Sequence, residues 1–140
     1  MRIHLSSSGP VDKSYKWASN IVSFNDMVQD REATSIVCDH FFSSFSYDEI
    51  PEVMKIIASK MRMKSELTIV QPDIVILSQK LSREEIDEKS LNNILFRGEG
   101  IKSLCSTETI QSLIPDNLQI TQKHFDVVTS NIVIKARRTQ

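Results

Sequence analysis

The sequence predicts an α/β domain with a mostly parallel sheet that ends in an antiparallel hairpin. Two observations carry this. Residues 34–73, TSIVCDHFFSSFSYDEIPEVMKIIASKMRMKSELTIVQPD, read as strand, loop, capped helix, turn and strand, which is one βαβ unit. Near the carboxyl end, Leu118–Val128 and Asn131–Arg137 read as two long strands joined by a turn at Thr129-Ser130.

The elements follow in order along the chain. Arg2–Leu5 is a first strand, ending in the small-residue loop Ser6–Pro10. Val11–Asn20 is polar apart from Trp17 and carries no assignable pattern, whereas Ile21–Phe24 suggests a short strand followed by the polar loop Asn25–Thr34. Ser35–Cys38 is the short apolar run of a buried parallel strand. Ser46 and Glu49 form an S-x-x-E capping box ahead of a helix over Tyr47–Arg62, with Ile50, Val53, Met54, Ile57 and Met61 in one apolar stripe. Met63–Glu66 reads as a turn, and Leu67–Val70 as a strand that stops at Pro72. Ile74–Leu77 fits helix or strand. A second capping box, Ser82 with Glu85, is flanked by Leu81 and Ile86 as a hydrophobic staple and predicts a helix to about Leu95, before Gly98 and Gly100 break the chain. Thr107–Ile114 is a short helix burying Ile110, Leu113 and Ile114, and Pro115-Asp116-Asn117 is a turn.

Composition narrows the function. The chain has 140 residues and a formal charge of −1, so no basic field exists to attract nucleic acid in general. Its two cysteines, Cys38 and Cys105, make neither a disulfide framework nor a zinc site. No apolar run is long enough for a bilayer and no signal peptide is visible, which sets the expectation of a single, soluble, cytoplasmic domain without membrane contact. In open α/β sheets ligands gather at the carboxyl ends of the strands. Asp39, His40 and Asp73 fall on that edge. His4, His40 and His124 are scattered along the sequence and suggest no metal cluster. Trp17, Phe41, Phe42, Phe45 and Tyr47 would line an apolar cleft or fill the core.

These segments, in this order, resemble the class I S-adenosylmethionine-dependent methyltransferases, especially the compact bacterial and phage type, whose sheet is Rossmann-like. Met1–Gly9, MRIHLSSSG, is similar to the family's K-L-x-L-G-C-G opening, and Asp39–Glu49, DHFFSSFSYDE, to its S-H-x-L-E-H-F-x-Y-x-E segment. Met61–Ser65 stands where the family has L-K-P-G-G, and Gln71-Pro72-Asp73 where it has V-P-D. Asn92–Gly98 with Ser106–Leu113 resembles the N-x-L-F-G segment and T-x-E-x-L helix, and Ala136-Arg137-Arg138 the end of the closing hairpin.

The resemblance implies a reduced methyltransferase fold and assigns S-adenosylmethionine contacts to Ser6, Ser7, Ser8 and Gly9 in the first loop. It assigns adenine contact to Asp26 and pocket positions to Asp39 and His40. It also exposes departures. Serines replace the two glycines of the first loop, adding side chains where the cofactor backbone should approach. The acid that ends the family's second strand and holds the ribose has no counterpart. Ser43 and Ser44 replace the E-H pair, and the K-P-G-G turn has lost both glycines. The expectation is a degenerate methyltransferase-like protein with weak or absent cofactor binding, serving as a binding or regulatory module for a protein or small molecule. The alternatives are an active small methyltransferase and an unrelated α/β enzyme using Asp39 and His40.

Overall fold

The computed structural model describes residues 1–10, 12–96 and 101–140. A six-stranded sheet in the order β2-β1-β3-β4-β6-β5 organises the chain. The strands are β1 Arg2–Leu5, β2 Lys16–Ala18, β3 Ala33–Asp39, β4 Met61–Pro72, β5 Leu118–Asp126 and β6 Asn131–Arg138. The first four in spatial order are parallel, whereas β6 runs antiparallel to β4 and β5 antiparallel to β6. The Rossmann-like sheet and closing hairpin expected from the sequence are therefore present.

Among the described residues five α-helices accompany the sheet: α1 Ile21–Met27, α2 Ile50–Lys60, α3 Ile74–Ser82, α4 Glu88–Leu95 and α5 Thr107–Leu113. In α2, Ile50, Val53, Met54 and Ile57 are buried as one stripe against the sheet. Two 3-10 turns, Phe42–Ser44 and Tyr47–Glu49, precede it, and the Glu49 carboxylate accepts from the Ser46 N–H at 3.3 Å and from its hydroxyl at 2.6 Å. The capping residues thus sit where the sequence put them. The helix ends two residues earlier than expected, because Met61 is already the first residue of β4, although it stays fully buried.

Four expectations are corrected. Ile21–Phe24 is helical: its β-branched residues suggest a strand, but the Asn20 side chain accepts the Ser23 N–H at 2.8 Å and Phe24 is buried as the anchor of α1. The helix continues to Met27, so the predicted loop from Asn25 begins later. Met63–Glu66 is an irregular stretch inside β4. The pairing jumps from Ala33–Met61 to Ser35–Glu66, and Lys64 takes a φ of 65°, the conformation a glycine turn would otherwise supply. Ser82 ends α3, and Glu85 donates its backbone N–H to the Lys80 carbonyl; the cap of α4 is Asp87, which accepts from the Ser90 N–H at 2.7 Å. The break expected at Gly98 and Gly100 lies outside the described residues.

Helices α1, α2 and α5 bury residues in one core with one face of the sheet. Ile3, Leu5, Ile36, Cys38, Leu67, Ile69, Ile132, Ile134 and Ala136 point to that face and are fully or almost fully buried. The alternate residues Ser35, Val37, Glu66, Thr68, Val70, Val133 and Lys135 face the other way and are only half-buried. The cause is topological. Among the described residues the connection from β1 to β2 holds no helix, so no crossover helix from them covers the second face.

Candidate functional site

Chain direction reverses across the sheet between β1 and β3: β1 leads outward to β2, whereas β3 leads the other way to β4. The carboxyl ends of strands at such a switch point form the usual ligand crevice of doubly wound sheets. Three segments meet the edge there: Ser6–Pro10 after β1, Ser19-Asn20 after β2 and Asp39-His40 after β3.

The first segment is tied to itself. The buried Ser6 donates its hydroxyl to the Gly9 carbonyl at 2.9 Å and its N–H to the Ala18 carbonyl at 3.3 Å. Its own carbonyl accepts the Trp17 indole N–H at 2.9 Å. Ser7 and Ser8 are exposed at the tip, and Gly9 holds φ at 106° with open space where a Cβ would stand. Glycine is needed at position 9 for its backbone conformation alone.

The tip of β2 is polar but uncharged. The loop after β1 delivers Lys16–Ala18 directly beside β1. The residues that follow are Ser19 and Asn20, the latter engaged in capping α1. No carboxylate stands at that tip.

The third segment carries charge. Asp39 Oδ1 lies 2.6 Å from His40 Nδ1, and Oδ2 lies 3.7 Å from Nε2 of the buried His4. The hydrogen bond from His40 lowers the Asp39 carboxyl below the usual carboxylate range; partial burial opposes this, and both imidazoles favour the anion. His40 is itself in the left-handed region at φ 55°, with its N–H donated to the Val70 carbonyl at 2.8 Å. In the neutral tautomer that carries its proton on Nδ1 toward Asp39, the Nε2 of this exposed ring is an acceptor. A carboxylate-oriented imidazole of this kind can take a proton from a bound group.

The site residues read from sequence divide accordingly. Ser6, Ser7, Ser8, Gly9, Asp39 and His40 share the carboxyl edge around β1 and β3. Asp26 lies in the last turn of α1, exposed, on a helix that leaves this edge at Asn20. Asp73 is on the carboxyl edge but is buried as a structural link: it caps α3 through the Val75 and Ile76 N–H groups and accepts from the Thr107 N–H at 2.6 Å. Phe41 and Phe42 belong to the core, whereas Trp17 and Tyr47 are substantially exposed. His4 was hidden from sequence reasoning because thirty-five positions separate it from Asp39 (39 − 4). The available signal was the pairing of β1 with β3, which places His4 beside Val37 and one pleat from Asp39. Among the described residues, no group of three or more metal-ligating side chains forms, and no helix is long and apolar enough to cross a membrane.

Comparison with known proteins places this geometry. No protein-family profile matches the chain, and no curated protein matches it. Solved structures do. A SAM-dependent methyltransferase from Archaeoglobus fulgidus superposes with a TM-score of 0.58 at 12% identity, covering 91% of this chain and 70% of that one. An O-methyltransferase family protein from Burkholderia thailandensis gives 0.63 at 11% identity, covering 90% of this chain and 36% of its own. Magnesium protoporphyrin IX methyltransferase from Synechocystis PCC 6803, solved with SAH bound, gives 0.56 at 12% identity, with coverages of 89% and 51%. The chain therefore has the fold of the class I SAM-dependent methyltransferases. It spans seven-tenths of the length of the first of these proteins, and about a third and a half of the other two.

Proposed function

We propose that this chain is a methyltransferase-fold binding module in which S-adenosylmethionine binding is weak or absent. The observation that carries the reading is the tip of β2, where Ser19 and Asn20 stand in place of the ribose-holding acid of the family it resembles. One charge-assisted hydrogen bond contributes about 1.5–3 kcal/mol, so a missing bidentate acid weakens affinity by about tenfold to a hundredfold or more. The Ser6 side chain, fastened across the loop to Gly9, adds bulk where glycine would let the cofactor approach.

A second reading, an active small methyltransferase, is supported by the Asp39–His40 pair, whose outward Nε2 would serve as the base for an acceptor hydroxyl or amine. Calorimetry with S-adenosylmethionine and S-adenosylhomocysteine separates the two. The binding-module reading expects no heat with the unaltered chain and measurable binding after Ser6→Gly with Ser19→Asp. Micromolar affinity in the unaltered chain would defeat it and favour the enzyme. The partner of a binding module would be a protein or small molecule, since the net charge of −1 gives no general attraction for nucleic acid.

A further inference from the structure

The outermost strand of the sheet, β5, has one edge committed to β6, from Leu118 beside Arg138 to Asp126 beside Asn131. Among the described residues no strand pairs with its other edge. The opposite margin of the sheet is formed by the three residues of β2, whereas β5 is nine residues long. Gln119, Thr121, Gln122, Lys123 and His124 on it are all exposed. A bulge separates Ile120 from Gln122, and beyond it residues 122–126 pair one for one with residues 135–131. That regular stretch is about 13 Å long at ~3.3 Å per step. In an antiparallel ladder every second residue turns its N–H and C=O away from the neighbour. The stretch therefore offers a row of backbone donors and acceptors in the plane of the sheet.

The charge beside this row is positive. Residues 118–138 hold four cations, Lys123, Lys135, Arg137 and Arg138, and one acid, Asp126, in a chain whose formal charge is −1. Asp126 is occupied by its own turn, where it accepts the Val128 N–H at 2.9 Å and the Thr129 N–H at 3.4 Å. Lys123 lies on the same side of β5 as Phe125, and its Nζ donates to the Gln111 side-chain oxygen at 3.2 Å. Lys80 of α3 stands 4.9 Å from the centre of the Phe125 ring and donates to the Ser130 hydroxyl at 3.3 Å. Both ammonium groups thus rest on neutral oxygens.

A strand laid along residues 122–126 would fill the backbone row and set alternate side chains beside Lys123 and Phe125. Carboxylates at those positions would meet Lys123 and Lys80, whereas lysines there would be repelled. The same two cations argue against a second β5 as the occupant, since it would bring another Lys123 and Lys80 to the seam. Only an extended backbone matches a strand edge, so the row defines the conformation of the occupant and the lysines its charge.

We propose that the outer edge of β5 takes an extended, acidic segment of a partner protein as a seventh strand of the sheet. The edge is three strands across the sheet from Asp39, and its pairing does not depend on whether the cofactor binds.

Fluorescence anisotropy tests it with a labelled peptide, as long as β5, that alternates glutamate with valine and threonine. Micromolar to sub-millimolar binding is expected, weakened by salt. Amide signals of residues 119–126 should shift in NMR spectra while those of Ser6–Gly9, Asp39 and His40 stay in place. The same peptide with lysine for glutamate should bind about tenfold more weakly. The glutamate peptide with alternate backbone nitrogens methylated should not bind, because it cannot complete the ladder. Lys123→Glu should weaken the glutamate peptide by about fivefold or more and favour the lysine peptide, with the melting temperature unchanged. No binding of the glutamate peptide, equal binding of the lysine or the methylated peptide, or shifts around Asp39 in place of β5 would overturn the proposal.

Discussion

Asp73 offers the sharpest test of how this fold is held at its carboxyl edge. Its Oδ1 accepts the Val75 N–H at 2.7 Å and the Ile76 N–H at 3.0 Å, capping α3. Its Oδ2 accepts both the backbone N–H and the hydroxyl of the buried Thr107, which fixes the start of α5. Asp73→Ala removes a helix cap, a loss of about 1 kcal/mol. It also strands a buried N–H, a further loss of about 1–3 kcal/mol. The expected total is about 3 kcal/mol, read as a lower urea midpoint at unchanged slope. Asp73→Asn keeps one acceptor oxygen and should lose less, about half. Burial pushes this carboxyl up, and its hydrogen bonds to Thr107, Ile76 and Val75 more than reverse that, so its folded pKa is lowered. The sign follows: the stabilisation is present above the ordinary carboxylate range and is lost as pH falls through the folded value. The Asn variant should therefore show a flatter acid limb than the wild type. An Asp73→Ala protein with the wild-type midpoint would refute the assignment of Asp73 as the link between α3 and α5.

Three other substitutions probe separate parts of the structure. Ile57→Asp buries a carboxylate in the fully enclosed stripe of α2 and should cost more than about 4 kcal/mol, seen as loss of the cooperative thermal transition; a normal transition would mean the helix is turned outward. His40→Gly should relieve the left-handed backbone at position 40 while removing the hydrogen bond to Asp39, so carbon-detected NMR should find the Asp39 carboxyl titrating at higher pH, and an unmoved titration would dissolve the pair. Gly9→Ala meets no atom but must accept φ of 106°, for a loss of about 1–2 kcal/mol, and an unshifted melting temperature would show that the loop adapts.

Legibility in the sequence followed the strength of local signals. β1, β3 and β6 carry apolar residues at strand spacing, β5 pairs with β6 across a short polar turn, and α5 starts at a serine cap, Ser106, so each is legible in the sequence. β2 was not. Lys16-Trp17-Ala18 is three residues long, with only Ala18 buried, and it becomes a strand because β1 offers it an open edge. The helix α1 departs from the strand its sequence suggests, because Ile21 and Val22 favour strands in isolation, whereas one-sided burial of Phe24 decides the matter in the fold. At the candidate site, Asp39 and His40 were visible from their place at a strand end, but His4 was invisible until the register of β1 against β3 was known.

The interior position of β6, between β4 and β5, has a consequence for how the chain can fold. β4, the longest strand, finds its first neighbour early in β3, but its other edge is closed only by residues 131–138. The same late segment supplies Arg138, whose guanidinium donates to the carbonyls of Ala58 at 3.3 Å and Met61 at 2.6 Å, where α2 passes into β4 without a loop. Until those last residues arrive, a growing or truncated chain carries a bare edge rich in Leu67, Ile69 and Val70, the kind of template that recruits other chains. Loss of β6 would therefore leave the long edge of β4 open to aggregation, even with Ser6–Gly9, Asp39 and His40 still in place.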